Sequence, residues 1–289
     1  MKKDIKIILI SLSLFFLWTA CKEKKIKLGK DIHFDKEENI HYGNNPEQVM
    51  DLYIPSARTN KEKDVFIMIH GGGWRAGDKS QLTFFTLSMM QKFPDHIFVN
   101  MNYRLASVTN FGLPNQTNDI KKVTELLKNK LGYNPNLILS GNSAGGHLSM
   151  LYAYKFDADK KVKAVINIVG PADLSDPGFK NYQEYSFVES RLVAPEIIQT
   201  EISKIGFASP VKWIKSDSPP TLSYYGSLDR VIPSTQEKRL DSALTANHII
   251  HESYQFNGGH LDWDKHPNDQ FLINKIETFL QKHTKNNTS

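Results

Sequence analysis

Four segments of this 289-residue chain hold the residue types that acyl chemistry on a serine needs. Gly141-Asn142-Ser143-Ala144-Gly145-Gly146 lies between an apolar run at 137–139 and a helical pattern at 144–154. On a sharp strand-to-helix turn, side chains at 141 and 145 would collide with the strand and the helix, so glycine is needed there. Ser143 would then stand at the top of a sheet and at a helix N-terminus, where a developing negative charge is favoured. The plainer reading is a glycine-rich turn with an exposed serine. His70-Gly71-Gly72-Gly73-Trp74 directly follows the apolar run at 65–69. Three successive glycines leave backbone N–H groups unshielded, which suits an oxyanion hole. A flexible or phosphate-binding loop is the alternative, although no Gly-Lys-Ser/Thr or G-x-G-x-x-G pattern accompanies it.

A serine hydroxyl needs a base to take its proton and a carboxylate to orient that base. Asp229 follows a strand pattern at 221–225, and Gly258-Gly259-His260 follows another at 249–256. The order Ser143, Asp229, His260 is the one expected when these groups sit on successive loops of a doubly wound sheet. Among the other histidines, His70 is read as a buttress of the glycine loop and His147, one helical turn past the serine, as packing. Asp173, Asp262 and Asp264 are alternative carboxylates. No H-E-x-x-H or other metal spacing is present, and no cofactor is expected.

The elements that must position these residues alternate regularly. A hairpin is expected over 40–54, with a turn at Gly43-Asn44-Asn45-Pro46. Strands then follow at 65–69, 97–101, 137–139, 162–169, 221–225 and 249–256. Helices are expected between them, marked by Leu82, Phe85 and Met89, by Ile120, Val123 and Leu127, at 144–154, by a capping box of Ser234 and Glu237, and over 268–283. Between Pro171 and about Pro210 the periodicity is lost. This predicts a short cap insertion over the sheet, with Phe179, Tyr182, Tyr185 and Phe187 as candidate pocket walls. The pattern is that of one α/β domain with a doubly wound, mainly parallel sheet and active groups at the carboxyl ends of its strands.

On these elements the chain resembles an α/β-hydrolase of the bacterial carboxylesterase and lipase group over roughly residues 40–283. The H-G-G-G-W and G-N-S-A-G-G-H segments resemble those of its hormone-sensitive-lipase-like and feruloyl or acetyl-xylan esterase-like branches. Asn102-Tyr103-Arg104-Leu105 matches that group's motif after its fourth strand. The resemblance implies a serine carboxylesterase acting on short-chain acyl or aryl esters, including acetyl or feruloyl groups on carbohydrate. It also implies an oxyanion hole from Gly72, Gly73 and the N–H of Ala144. A peptidase or amidase on the same fold, and a binding protein without catalysis, are the alternatives.

The net charge of +5 invites a nucleic-acid reading, but its position argues otherwise. Residues 1–20 carry +2 and residues 21–30 carry +4, which leaves −1 for the rest. No basic groove is expected, and no nucleic-acid partner. The first segment pairs a basic start with a twelve-residue apolar run at 7–18, too short to span a bilayer, and reads as a signal peptide. Thr19, Ala20 and the single cysteine, Cys21, resemble a bacterial lipobox, which implies lipidation at Cys21. The expected organisation is a signal at 1–20, a lipid-anchored tether at 21–39 and a hydrolase domain at 40–284. It describes an exported lipoprotein of the cell envelope, held to the membrane by its lipid, and leaves the oligomeric state open.

Overall fold

The computed structural model describes residues 24–57, 61–198 and 202–284. The predicted signal peptide and Cys21 therefore lie outside the described residues. The described residues open with strands β1 (Lys24–Lys27), β2 (His33–His41) and β3 (Val49–Pro55). It continues through β4 (Val65–Ile69), α1 (Thr83–Lys92), β5 (Ile97–Met101), α2 (Asn115–Leu131), β6 (Leu137–Asn142), α3 (Ala144–Leu151) and β7 (Val162–Ile168). The insertion holds α4 (Tyr185–Arg191) and α5 (Lys204–Ala208), and the chain ends with β8 (Thr221–Gly226), α6 (Thr235–Ala246), β9 (His251–Phe256) and α7 (Asn268–His283).

Among the described residues, nine strands form one sheet in the order β1-β2-β3-β5-β4-β6-β7-β8-β9. The pairs from β1 to β5 run antiparallel, and those from β5 through β4 to β9 run parallel. Strands β4 and β5 are buried at every residue because helices cover both faces of the sheet, which is why their sequences are continuous apolar runs. Alternate residues point to opposite faces. Ile67 and Ile69 join Leu139, Leu148 and Val123 in one core layer, whereas Phe66 and Met68 join Met89, Ile276 and Phe279 in the other. Each such buried side chain contributes about 1.5–3 kcal/mol of transfer free energy.

Three sequence expectations need correction. The segment 21–39, read as a tether, holds β1 and the larger part of β2, so the sheet begins within it. KKIK and HFDKEENIH show no apolar run, with Ile26, Phe34 and Ile40 their only apolar residues: they lie at and next to a sheet edge, where charged side chains such as Lys36 and Glu38 pair with each other at 2.7 Å. Ser234 does not cap α6 through its side chain; its backbone is already helical. Glu237 instead accepts hydrogen bonds from Ser253 Oγ and Gln255 Nε2 on β9. The α-helix after the serine ends at Leu151 and passes into a wider π-type turn over Tyr152–Phe156.

Candidate active site

Ser143 sits between β6 and α3 at φ 53° and ψ −121°, a conformation that a side-chain-bearing residue adopts only under constraint. The constraint is visible on both sides. A Cβ on Gly145 would lie 1.9 Å from the Ile69 carbonyl oxygen, and one on Gly141 would lie 2.4 Å from the Gly145 carbonyl carbon. The two glycines let the first turn of α3 press against β4 and β6. The Ser143 N–H donates to the Ile168 carbonyl at 2.8 Å, which anchors the turn to the end of β7.

Loops after β8 and β9 bring Asp229 and His260 to the same place. Ser143 Oγ lies 2.9 Å from His260 Nε2, and His260 Nδ1 lies 2.8 Å from Asp229 Oδ2. The other carboxylate oxygen of Asp229 accepts the N–H groups of Val231 at 2.7 Å and Ile232 at 2.9 Å. With its side chain only 1% exposed, Asp229 is held by its partners rather than by water. An acceptor-only carboxylate at Nδ1 fixes the proton there, so Nε2 presents its lone pair to the serine hydroxyl. The His260 loop is braced by Asp262, which accepts the Gly259 N–H at 2.7 Å.

The glycine loop after β4 runs beside this array. Gly72 has φ 111° and a Cβ there would lie 2.1 Å from the Ala76 carbonyl oxygen, because the Gly72 carbonyl accepts the Ala76 N–H at 2.9 Å in a tight turn. Gly73 and Trp74 also adopt positive φ, 58° and 64°. Among the described residues the N–H groups of Gly72 and Gly73 donate to no protein acceptor. The Ala144 N–H is likewise one of the free donors in the first turn of α3.

Side chains outside the reacting groups hold this loop. Trp74 Nε1 donates to His147 Nδ1 at 3.0 Å, so the remaining ring N–H of His147 donates to the Ala208 carbonyl at 2.7 Å. Complete burial pushes the His147 pKa down to about 4, and the ring stays neutral. His70 bonds the Gly71 carbonyl through Nδ1 at 2.7 Å and stacks on Tyr103 at 4.3 Å; burial lowers its pKa too. The Asn102-Tyr103-Arg104-Leu105 segment supports the loop: Tyr103 donates to the His70 carbonyl, and Arg104 pairs with the buried Asp119 at 2.7 Å.

A cleft of about 720 Å³ opens over Ser143 and His260. Its polar lining includes Arg75, Gln81, Asn142, Tyr182, Glu184 and Asp264. Arg75 lies 3.3 Å from Glu184 and 4.7 Å from the ring centre of Phe187. Of the four cap aromatics only Tyr182 lines the cleft; Phe179 is buried beneath it in a stacked pair at 5.5 Å. Tyr185 donates to the Leu174 carbonyl and Phe187 lies under Arg75, because a short helical cap must bury aromatic surface before it can present any. Asp173 is engaged by Arg239 at 2.8 Å, away from the serine. Sequence reasoning passed over Arg75, Gln81 and Glu184; the position of Arg75 two residues past Gly73 was the one available signal. Among the described residues no cluster of His, Cys, Asp and Glu is arranged to hold a metal ion.

A protein-family model described as BD-FAE matches residues 50–244. Esterase LipC of Mycobacterium tuberculosis is 27% identical over 72% of this chain and 54% of its own length. The chain spans about half the length of the curated relatives it matches first. Among solved structures, a truncated carbohydrate esterase from gut microbiota superposes with a TM-score of 0.69 at 20% identity, covering 89% of this chain and 99% of that one. Esterase B from Lactobacillus rhamnosis superposes at 0.71 and 22% identity, over 89% of each chain.

Proposed function

The chain belongs to the BD-FAE family and has the α/β-hydrolase fold, and on that premise we propose that it is a serine carboxylesterase. The observation that carries this reading is the continuous hydrogen-bonded array from Ser143 through His260 to Asp229, at 2.9 and 2.8 Å. His260 Nε2 takes the Ser143 proton as Oγ bonds the ester carbonyl carbon, and the carbonyl electron pair moves onto oxygen. That oxygen accepts the N–H groups of Gly72, Gly73 and Ala144. Collapse of the tetrahedral species expels the alcohol, which takes the proton back from His260. Water then enters by the same route in reverse and releases the acid. Asp229 keeps the imidazole in the required tautomer and stabilises its charged form. No step needs a cofactor.

The substrate reading is an acyl or aryl ester carried on a hydroxyl-rich alcohol, such as acetyl or feruloyl groups on carbohydrate. The cleft supports it: Arg75, Gln81, Asn142, Glu184 and Asp264 offer hydrogen-bonding groups for hydroxyls, and Leu82, Val231, Leu261 and Trp263 offer apolar surface for an acyl or aryl group. The similarity to a carbohydrate esterase points the same way. Export as a lipoprotein anchored through Cys21 belongs to the same proposal and is supported by the N-terminal sequence pattern alone.

Replacing Ser143 with Ala should cut turnover of 4-nitrophenyl acetate by about 10⁶-fold while leaving the melting temperature in place. Retained turnover, or no labelling of wild-type Ser143 by a fluorophosphonate, would overturn the assignment.

A further inference from the structure

The cap reaches the oxyanion loop at one point. Tyr182 and Gly73 are so close that a Cβ on Gly73 would lie 3.1 Å from the phenolic oxygen. Both residues line the cleft that holds Ser143. The phenol is held from behind, its ring stacked on the buried Phe179 and its N–H donating to the Phe179 carbonyl at 2.9 Å. Among the described residues the Tyr182 O–H has no acceptor. A hydroxyl fixed in a cleft beside free backbone donors, with nothing of its own to donate to, is arranged for a group that arrives with substrate.

Resting on the reading of Ser143 as nucleophile, we propose that Tyr182 is a further catalytic residue, whose O–H donates to the ester oxygen as it becomes negative. No proton is transferred from Tyr182. Ser143 loses its proton to His260, the new C–O bond forms, and the phenol and the backbone N–H groups share the oxyanion until the alcohol departs. Burial, reinforced by the neighbouring Glu184 charge, raises the Tyr182 pKa above its usual 10, so the donor stays protonated at neutral pH. Glu184 also lies near Gly73, and a bare carboxylate there would oppose an oxyanion. Its pairing with Arg75 at 3.3 Å offsets that charge and ties the cap to the oxyanion loop.

The test is Tyr182→Phe, which keeps the ring against Phe179 and removes only the hydroxyl. With 4-nitrophenyl acetate, kcat and kcat/KM should fall together by about 100- to 1,000-fold at unchanged KM, as for loss of one oxyanion donor. The melting temperature should hold, and a boronic acid that forms a tetrahedral adduct on Ser143 should lose affinity in the same proportion. Unchanged kcat, or a rise in KM alone, overturns the role of Tyr182. Wild-type protein that neither turns over the ester nor reacts with a fluorophosphonate overturns the underlying esterase reading instead.

Discussion

The two walls of the cleft are built by different means. On one side, the turns after β4 and β6 are fixed by backbone against backbone, with Gly145 over Ile69 and Gly72 over Ala76 at separations that admit no side chain. On the other, the cap is fixed by polar side chains. Asp176 accepts from the Thr235 hydroxyl and from Gln236 Nε2 at 3.0 Å and pairs with the Arg239 charge at 3.2 Å, and Gln236 Oε1 accepts the N–H groups of Ala172 and Asp173 at 2.8 Å each. On the reading proposed above, the first wall carries Ser143 and the backbone donors, and the cap carries Tyr182 together with surfaces for the rest of the substrate. The first wall therefore rests on close backbone contacts that only glycine permits, whereas the cap rests on side-chain pairs such as Asp176 with Gln236.

The same substitution placed in each wall separates them most strongly. Gly145→Ala puts a methyl group 1.9 Å from the Ile69 carbonyl oxygen and 2.6 Å from that of His70, both backbone atoms of the central sheet region. Nothing there can yield without moving β4, so a loss of about 3 kcal/mol or more is expected. In the cap, Gly178 has φ −64° and ψ −37°, and an added Cβ would meet Thr235 Oγ1 at 3.2 Å and Pro233 Cγ at 3.3 Å. Gly178→Ala should change stability by less than about 1 kcal/mol, since the lost freedom of the unfolded chain offsets the crowding. Urea unfolding of both variants decides it: equal losses would show that the walls do not differ in this way.

His147 joins the two walls, accepting from Trp74 on the oxyanion loop and donating to the Ala208 carbonyl at the end of the cap. Its pKa falls from the usual 6.5 to about 4 on burial. The unfolded chain therefore binds a proton near pH 6.5 that the folded protein refuses until about pH 4. Stability from this group is complete above pH 6.5 and is lost as pH falls toward 4, by about 3 kcal/mol in all. His70 and His96, also held down by burial, add to the slope. Unfolding free energies measured from pH 7 to 4 should fall less steeply in His147→Gln than in wild type. Parallel curves would mean that His147 titrates normally in the folded protein.

This division also explains what could be read from the sequence. The central strands were legible because burial on both faces leaves uninterrupted apolar runs such as VFIMI and IFVNM. The meeting of Ser143, Asp229 and His260 was legible because each follows a strand of one parallel sheet, and parallel strands deliver their following loops to the same end. Strands β1 and β2 were not, since near a sheet edge charged residues leave only Ile26, Phe34 and Ile40 as apolar positions, too few to show a run. Nor were the cap helices: α4 and α5 are seven and five residues long, too short to show a period. The four cap aromatics looked alike in sequence. Only the fold distinguishes Phe179, spent on burial, from Tyr182 above it, facing the cleft.

The smallest expected effect lies where the walls touch. Arg75 and Glu184 are 44% and 40% exposed, so their ion pair is worth about 0–1 kcal/mol and is screened by salt. Glu184→Gln should leave the melting temperature within about 2 °C of wild type. A neutral amide removes the charge that Arg75 offsets, so the substitution tests whether the pair matters for holding the cap over Gly73 or only for balancing charge. If it holds the cap, KM for a carbohydrate ester should rise about two- to fivefold at low ionic strength, an effect of less than 1 kcal/mol, and wild type should approach the variant as salt is added. A salt-independent loss in kcat would place Glu184 in the chemistry itself. The cap would then contribute a second side chain to reactivity, beside Tyr182.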